Sequence, residues 1–202
     1  MPPPTPSRSV TQHETWSFFR AFFHDRQKIG SFVPTSSLVG RRMARLAGVE
    51  WARNVVEFGP GTGPITRQLL AALPADGRLW AYEIYEPFLE HLRDTFDDPR
   101  LMLIGESAEH VRELRAREVP QGFDAIVCSI PFAVLSPAVT SHILSAAAAA
   151  LRPGGTFVAL QYHPTYLAPL MRQHFRSLRR ELYPWNIPPT LLLTAQGSRS
   201  DD

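Results

Sequence analysis

The feature that most constrains the fold is a short apolar segment that runs directly into a glycine-rich turn. Residues 54–58 are mainly apolar and predict a buried strand, and residues 64–73 predict the helix that follows it. Between them stand Gly59, Gly61 and Gly63. Because glycine removes the side chains that would keep a ligand away from backbone N–H groups, this unit predicts a site for a small cofactor that carries a nucleoside.

An acidic residue at the end of the next predicted strand supports the same site. Glu83 ends the strand 79–83 and lies 20 residues after Gly63. At that spacing a carboxylate can accept hydrogen bonds from both ribose hydroxyls of a bound nucleoside. The dinucleotide pattern G-x-G-x-x-G is not met, because position 64 is Pro, and Glu57 adds a negative charge that would repel a pyrophosphate. A cationic ligand suits this loop better.

The acid and the glycines resemble the first motif of the class I S-adenosylmethionine-dependent methyltransferases. That resemblance implies that S-adenosylmethionine is the cofactor and that this loop, together with the end of the second strand, binds it. It also implies that the segment after the third strand binds the adenine and that the segment after the fourth strand faces the methyl group. The residues concerned are Glu57, Gly59, Pro60, Gly61, Thr62, Gly63, Glu83, Ile84, Gly105, Glu106, Ser107, Ala108, Ser129, Ile130 and Pro131.

Three of these predictions have plainer alternatives. Glu83 can be a solvated carboxylate at a strand end, Ser107 can serve only as a helix N-cap, and Pro131 can form a turn in front of a core residue, Phe132. The family usually has Asp where this chain has Glu106, so the predicted contact with the adenine depends on a longer side chain.

The order of the predicted elements gives the fold class. Strands alternate with helical patterns along the chain, and the run Leu-Arg-Pro-Gly-Gly at 151–155 predicts a turn between a helix and a strand. Such alternation predicts an α/β fold, here a Rossmann-like, seven-stranded, mostly parallel sheet with helices on both faces. The predicted strands are 54–58, 79–83, 101–104, 124–129, 156–162, 176–182 and 190–194, and the helical patterns are 64–73, 86–96, 107–116 and 138–151.

The 202 residues are enough for one domain with a full core. We predict disordered tails at 1–12 and 197–202, an amphipathic helix and helical lid at 13–50, and a cofactor-binding methyltransferase domain at 51–196. Cys128 is the only cysteine, which excludes an intrachain disulfide and a thiolate metal cluster, and we expect no metal. The first nine residues lack the apolar core of a signal peptide, and we expect a cytoplasmic location and a monomer.

Residues 14–26 predict an amphipathic helix near the amino terminus. Its aromatic side chains fall three and four residues apart and line one broad face. Basic side chains beside that face are typical of a helix that lies in a membrane interface, and a helix packed over the cofactor site is the alternative. The residues concerned are Trp16, Phe18, Phe19, Phe22 and Phe23 on the face and Arg20, Arg26 and Lys28 off it or just beyond it.

The resemblance narrows at residues 22–37, FFHDRQKIGSFVPTSS, and continues through Gln161-Tyr162-His163 and Trp185-Asn186-Ile187-Pro188-Pro189. These segments resemble the bacterial phospholipid N-methyltransferases. The resemblance implies transfer of methyl groups to the amine of phosphatidylethanolamine, in up to three rounds that end at phosphatidylcholine. It also implies an anionic membrane surface as partner, a peripheral location on the inner face of the cell membrane, and no nucleic acid.

The same resemblance gives roles to residues on the substrate side. Ser129 would face the reacting amine, and Tyr162, His163 or the lipid phosphate would accept its proton. Phe132, Tyr162 and Trp185 would line the site, because aromatic faces suit a product that becomes more cationic. Core packing is the alternative for these aromatic residues.

Two other functions stay open at the level of sequence. Methyltransferases that act on adenine and other planar nitrogens usually have Asn or Asp where this chain has Ser129. An N-methyltransferase for an RNA base or a small soluble amine is nevertheless an alternative. The other alternative is a catalytically inactive, membrane-peripheral protein that binds S-adenosylmethionine.

Overall fold

A computed structural model describes residues 36–163, 165–186 and 188–199. The predictions for the amino-terminal segment concern residues outside these ranges. The structure therefore describes neither the predicted amphipathic helix nor its side chains. The residues concerned are Trp16, Phe19, Arg20, Phe22 and Phe23.

The described chain forms one seven-stranded sheet in the order β3-β2-β1-β4-β5-β7-β6. Neighbouring strands from β3 to β5 are parallel, and β7 is antiparallel to both β5 and β6. The carboxyl ends of β1 to β6 therefore meet at one edge of the sheet, where β7 begins. The strands are β1 (Asn54–Phe58), β2 (Arg78–Tyr82), β3 (Leu101–Ile104), β4 (Phe123–Cys128), β5 (Leu151–Gln161), β6 (Phe175–Tyr183) and β7 (Thr190–Ser198).

Six α-helices connect or precede the described strands, and several begin as their sequences predict. The Ser36 and Ser136 hydroxyls cap α1 and α5 by accepting the N–H groups of Val39 and Val139, each at 3.3 Å. No helix in the described residues is long and apolar enough to cross a membrane. The helices are α1 (Ser37–Leu46), α2 (Pro64–Ala72), α3 (Glu86–Thr95), α4 (Val111–Glu118), α5 (Pro137–Ala150) and α6 (Leu167–His174).

Helix α1 is part of the main core and not of a separate lid. Its Val39 and Met43 are fully buried in a cluster that includes Val55 of β1 and Val158 of β5. Phe157 points to the opposite face of β5 and is also fully buried, so both faces of the sheet are covered. The methyltransferase domain thus begins before the predicted boundary at residue 51.

The sequence predicts a turn at the Leu-Arg-Pro-Gly-Gly run, but the structure has a strand there. Strand β5 already starts at Leu151, and its pairing with β4 shifts register between Phe123 and Ala125. Asp124 holds this irregularity: its carboxylate accepts the Arg152 Nε–H at 2.6 Å and the Asn54 N–H at 2.8 Å. Burial opposes ionisation of Asp124, but these hydrogen bonds outweigh it and hold the carboxyl pKa below its usual value.

The carboxyl-terminal end also differs from the prediction. Strand β7 runs to Ser198, so residues 197 and 198 belong to the sheet and not to a tail. The Arg199 N–H donates to the His174 carbonyl at 3.0 Å and ties the end of the described chain to α6.

Candidate functional site

The glycine loop after β1 is held in the left-handed region. Gly59, Gly61 and Gly63 have φ values of 72°, 59° and 82°. A Cβ on Gly63 would lie 2.4 Å from the Phe96 ring, so this glycine is required by packing. Among the described residues, a Cβ on Gly61 would meet only Phe88, at 3.9 Å. These residues therefore leave space for a ligand beside Gly61.

Glu83 follows β2 directly and faces this loop, as its spacing predicts. Its Oε2 accepts the Gly61 N–H at 3.1 Å, and its Oε1 accepts the N–H groups of Ile84 and Tyr85 at 2.9 and 3.0 Å. Burial raises the pKa of Glu83, and these three backbone bonds lower it in part. The carboxylate is fixed in orientation. Oε1 already accepts two N–H groups, whereas Oε2 still has a lone pair for a further donor.

Glu57 lies completely buried beneath the same loop. The Thr66 hydroxyl donates to Glu57 Oε2 at 2.7 Å, while Oε1 has no hydrogen-bond partner among the described residues. Burial is the main cause that raises the pKa of Glu57 from 4.5 to about 8, and the nearby Glu83 adds to it. An unpaired buried carboxylate oxygen is costly, and a cationic ligand group would supply the partner that it lacks.

The segment after β4 approaches the loop from the other side. The Ser129 N–H donates to the Phe58 carbonyl at 3.0 Å, and the Ser129 hydroxyl donates to the Gly59 carbonyl at 2.6 Å. Gly59 has no room for a side chain here, because its Cβ would lie 3.1 Å from Ile130 Cγ1. Phe132 is fully buried, so it packs in the core and does not line the site as the sequence predicted.

The predicted adenine segment lies at the end of β3. Ser107 is an N-cap, since its hydroxyl accepts the Glu109 N–H at 3.4 Å. Ala108 is buried, and Glu106 is exposed. Burial is the main cause that raises the pKa of Tyr82 in the neighbouring strand β2, and the charge of Glu106 contributes to it.

A buried polar network joins the substrate side to α1. Asn186 is 2% exposed; its Oδ1 accepts the Ser36 N–H at 3.3 Å, and its Nδ2 donates to the Tyr162 hydroxyl at 3.4 Å. Gln161 Nε2 donates to the Ile130 carbonyl at 3.4 Å. Tyr162 is thus oriented, while the neighbouring His163 is exposed.

A family of methyltransferase domains matches residues 55–155, which spans β1 through the start of β5. The chain belongs to this methyltransferase family. Its glycine loop, the Glu83 carboxylate and the Ser129 segment all fall inside the matched range.

Curated relatives of this methyltransferase fall into two groups. It is similar to the ornithine lipid N-methyltransferase of Singulisphaera acidiphila, with 28% identity over 85% of this chain and 90% of that protein. It is also similar to ribosomal RNA small subunit methyltransferase A of Nocardia farcinica, with 34% identity over 57% of this chain. The alignment covers only 39% of the Nocardia protein, whereas it covers nearly all of the lipid enzyme.

Solved structures support the fold. The N-methyltransferase NodS from Bradyrhizobium japonicum WM9 aligns with a TM-score of 0.63 and 13% identity, covering 79% of this chain and 94% of that chain. At this identity the likeness concerns the architecture alone.

S-adenosylmethionine is the cofactor of this methyltransferase, and the residues present fit it. The described residues leave space beside Gly61, Glu83 Oε2 can accept a ribose hydroxyl, and Glu57 offers an unpaired carboxylate oxygen to a positive group. Ile84 is fixed by its N–H bond to Glu83, beside the same pocket.

The sequence predicted no role for Thr66, or for Asn186 within the segment 185–189, although both shape the site. Thr66 lies three residues after Gly63 and is a fully buried hydroxyl on the apolar face of α2. That position was the only available signal. Asn186 bonds to a residue 150 positions earlier in the chain, a contact that no local pattern predicts.

Proposed function

We propose that this methyltransferase transfers a methyl group to the amine of a membrane-lipid headgroup, with phosphatidylethanolamine as the acceptor, at the surface of an anionic membrane. The observation that carries the proposal is the similarity to a lipid N-methyltransferase along 85% of this chain and 90% of that protein. An ornithine lipid and phosphatidylethanolamine share the reacting group, a primary amine on a membrane lipid.

The Ser129 hydroxyl supports an amine substrate. Its proton is committed to the Gly59 carbonyl, so its oxygen can only accept a hydrogen bond from a further group. An N–H of the substrate amine is such a donor. Ser129 would then orient the amine nitrogen. The lone pair of that nitrogen would point away from Ser129 and towards the methyl group.

The chain contributes mainly by positioning. When bound, S-adenosylmethionine would supply a methyl group on positively charged sulfur to the unprotonated amine nitrogen. Holding the two reactants in line accounts for roughly 7–11 kcal/mol of barrier reduction in well-oriented systems. Glu57 and Glu83 orient the donor, and the Ser129 segment orients the acceptor.

The amine must lose its proton before it reacts. Tyr162 is the proposed acceptor, because Asn186 donates to its hydroxyl oxygen and so fixes that oxygen in position. His163 is exposed and packs edge-on to Tyr166, with ring centroids 6.4 Å apart. A Tyr162→Phe variant should lose kcat more than cofactor affinity, and His163→Gln is the matched comparison for the second candidate.

Methyl incorporation from radiolabelled S-adenosylmethionine tests the proposal. Parallel reactions contain vesicles of phosphatidylethanolamine with an anionic lipid, the same vesicles with an ornithine lipid, soluble ethanolamine, and bulk RNA. We expect mono-, di- or trimethylated phosphatidylethanolamine. Label only in ornithine lipid would support a lipid amine as the acceptor but would exclude phosphatidylethanolamine. Label in RNA or ethanolamine would overturn the proposal. No label in any acceptor, despite cofactor binding, would indicate an inactive binding protein.

The peripheral location has its own test. Phe19→Glu with Phe23→Glu should abolish vesicle flotation and preserve cofactor affinity, because both side chains lie on the predicted aromatic face. Ser17→Glu with Ala21→Glu adds the same charge off that face and is the matched control. Equal flotation of both double variants would refute the predicted interface helix.

A further inference from the structure

The exposed apolar side chains of the described chain concentrate at one corner of the sheet. Tyr162 follows the carboxyl end of β5, Leu182 lies at the end of β6, Trp185 lies in the turn from β6 to β7, and Leu38 lies in the first turn of α1. Their exposed fractions are 39%, 65%, 73% and 48%. We call these four residues the hairpin corner. Trp51, the other large apolar side chain with high exposure, precedes β1 and lies at the opposite edge.

The hairpin corner is a built structure. Asn186, next to Trp185, bonds to the Ser36 N–H, to the Tyr162 hydroxyl and, at 3.0 Å, to the Pro188 carbonyl. It thereby joins the hairpin, α1 and the end of β5. An exposed tryptophan on a braced turn presents apolar area at little cost in conformational entropy.

The corner lies beside the methyl-transfer site. Gln161, the last residue of β5, bonds to the Ile130 carbonyl in the segment that carries Ser129. Tyr162 is the next residue in the chain. A surface that contacts the hairpin corner would therefore lie at the entrance through which the acceptor amine reaches Ser129.

Charge beside the corner is mainly basic. Residues 36–48 and 179–186, which include α1 and the end of β6, contain five arginines and one acidic residue, Glu181, which is paired with Arg42 at 2.6 Å. Residues 49–161 contain nine arginines and fourteen acidic residues. Arg41 lies about 6 Å along α1 from its start, and Arg180 lies about 10 Å along β6 from Tyr183. Both side chains are exposed.

We propose that the hairpin corner docks on the surface of an anionic bilayer, with Trp185 in the interface and the surrounding arginines on lipid phosphates. The proposal rests on the proposed lipid substrate and adds the surface that delivers it. Tryptophan prefers the headgroup level of a bilayer, and basic side chains within about a Debye length of that level are attracted to anionic lipids. This contact is separate from the predicted amino-terminal helix and places the site entrance against the headgroups.

Tryptophan quenching tests the docking directly. Vesicles of brominated phosphatidylcholine and phosphatidylglycerol, which contain no acceptor amine, are added to two full-length variants. One carries Trp16→Phe and Trp51→Phe and keeps Trp185; the other carries Trp16→Phe and Trp185→Phe and keeps Trp51. Both keep the buried Trp80. We expect quenching only in the variant that keeps Trp185, and equal quenching or none would overturn the proposal.

Charge variants provide a second readout. Arg179→Glu with Arg180→Glu should weaken binding to anionic vesicles at least tenfold, whereas Arg78→Glu with Arg112→Glu, also at exposed positions, should change it less than twofold. If the first pair loses RNA binding and keeps vesicle binding, the surface serves RNA and the proposal is wrong. Quenching without lipid methylation would support the docking surface and refute the proposed function. Methylation without quenching would support the proposed function and refute the docking surface.

Discussion

The protonation of Glu57 should control how the stability of the cofactor-free protein depends on pH. Burial raises the pKa of this carboxyl from 4.5 to about 8, although the Thr66 hydroxyl lowers it in part. In the unfolded chain the side chain is solvated and has its ordinary pKa. Between these two values the folded protein holds a proton that the unfolded chain has released, so stability falls as pH rises.

The magnitude follows from the two pKa values. One pKa unit corresponds to about 1.4 kcal/mol, so the cost to the free energy of unfolding grows from about 1 kcal/mol at pH 5 to roughly 5 kcal/mol at pH 9. Below pH 4.5 both states are protonated and the cost vanishes. Glu57→Gln removes the titration and keeps an acceptor for Thr66. The variant should therefore exceed the wild type in stability by several kcal/mol more at pH 9 than at pH 5.

Urea unfolding of the cofactor-free protein at pH 5, 7 and 9 measures this difference. Glu90→Gln, at an exposed position on α3, is the matched control and should follow the wild type at every pH. Parallel profiles for Glu57→Gln and the wild type would refute the buried, proton-holding state. The stabilised variant should also bind S-adenosylmethionine more weakly, because it lacks the carboxylate, and wild-type binding at pH 7 should release a proton in calorimetry.

Three further predictions concern single side chains. Glu83→Ala should weaken cofactor binding by about 1–3 kcal/mol, and unchanged affinity in calorimetry would remove Glu83 from the site. Gly63→Ala should lower the Tm more than Gly61→Ala, because only the first adds a clash with Phe96 to the left-handed strain of about 1–2 kcal/mol; equal losses would contradict the loop geometry. Asp124 has a lowered pKa, so the stability it contributes is present above its ordinary pKa and lost as pH falls through the lowered one; Asp124→Asn should flatten that acid limb in urea titrations.

The central strands could be predicted because their sequences are locally decisive. Residues 54–58 and 101–104 are strands with the predicted bounds, since short apolar runs between turn signals suit strands covered on both faces. Helix α6 was not predicted. It has eight residues, contains Pro169, and buries little beyond Leu167, Ala168 and Met171, so its helical pattern is short.

Some features of the site could likewise be predicted from the sequence, and others could not. Spacing along one strand–loop–helix unit predicts that Glu83 faces the glycines, and the Gly61 bond agrees with it. Phe132 was wrongly predicted to line the site, because a proline turn does not show which side the next residue faces. Its ring is buried in the core. Asn186 depends on chain segments 150 residues apart, so its role becomes visible only after folding.

Charge along the described chain suits the two ligands of the proposed lipid methyl transfer. The cofactor is cationic, and Glu57 and Glu83 lie within residues 49–161, where acidic residues outnumber arginines. The proposed membrane surface is anionic, and it would face residues 36–48 and 179–186, where arginines dominate. Ser129 follows β4 and Gln161 ends β5, so both lie at the carboxyl edge of the sheet, to which each ligand would be attracted by a different set of charges.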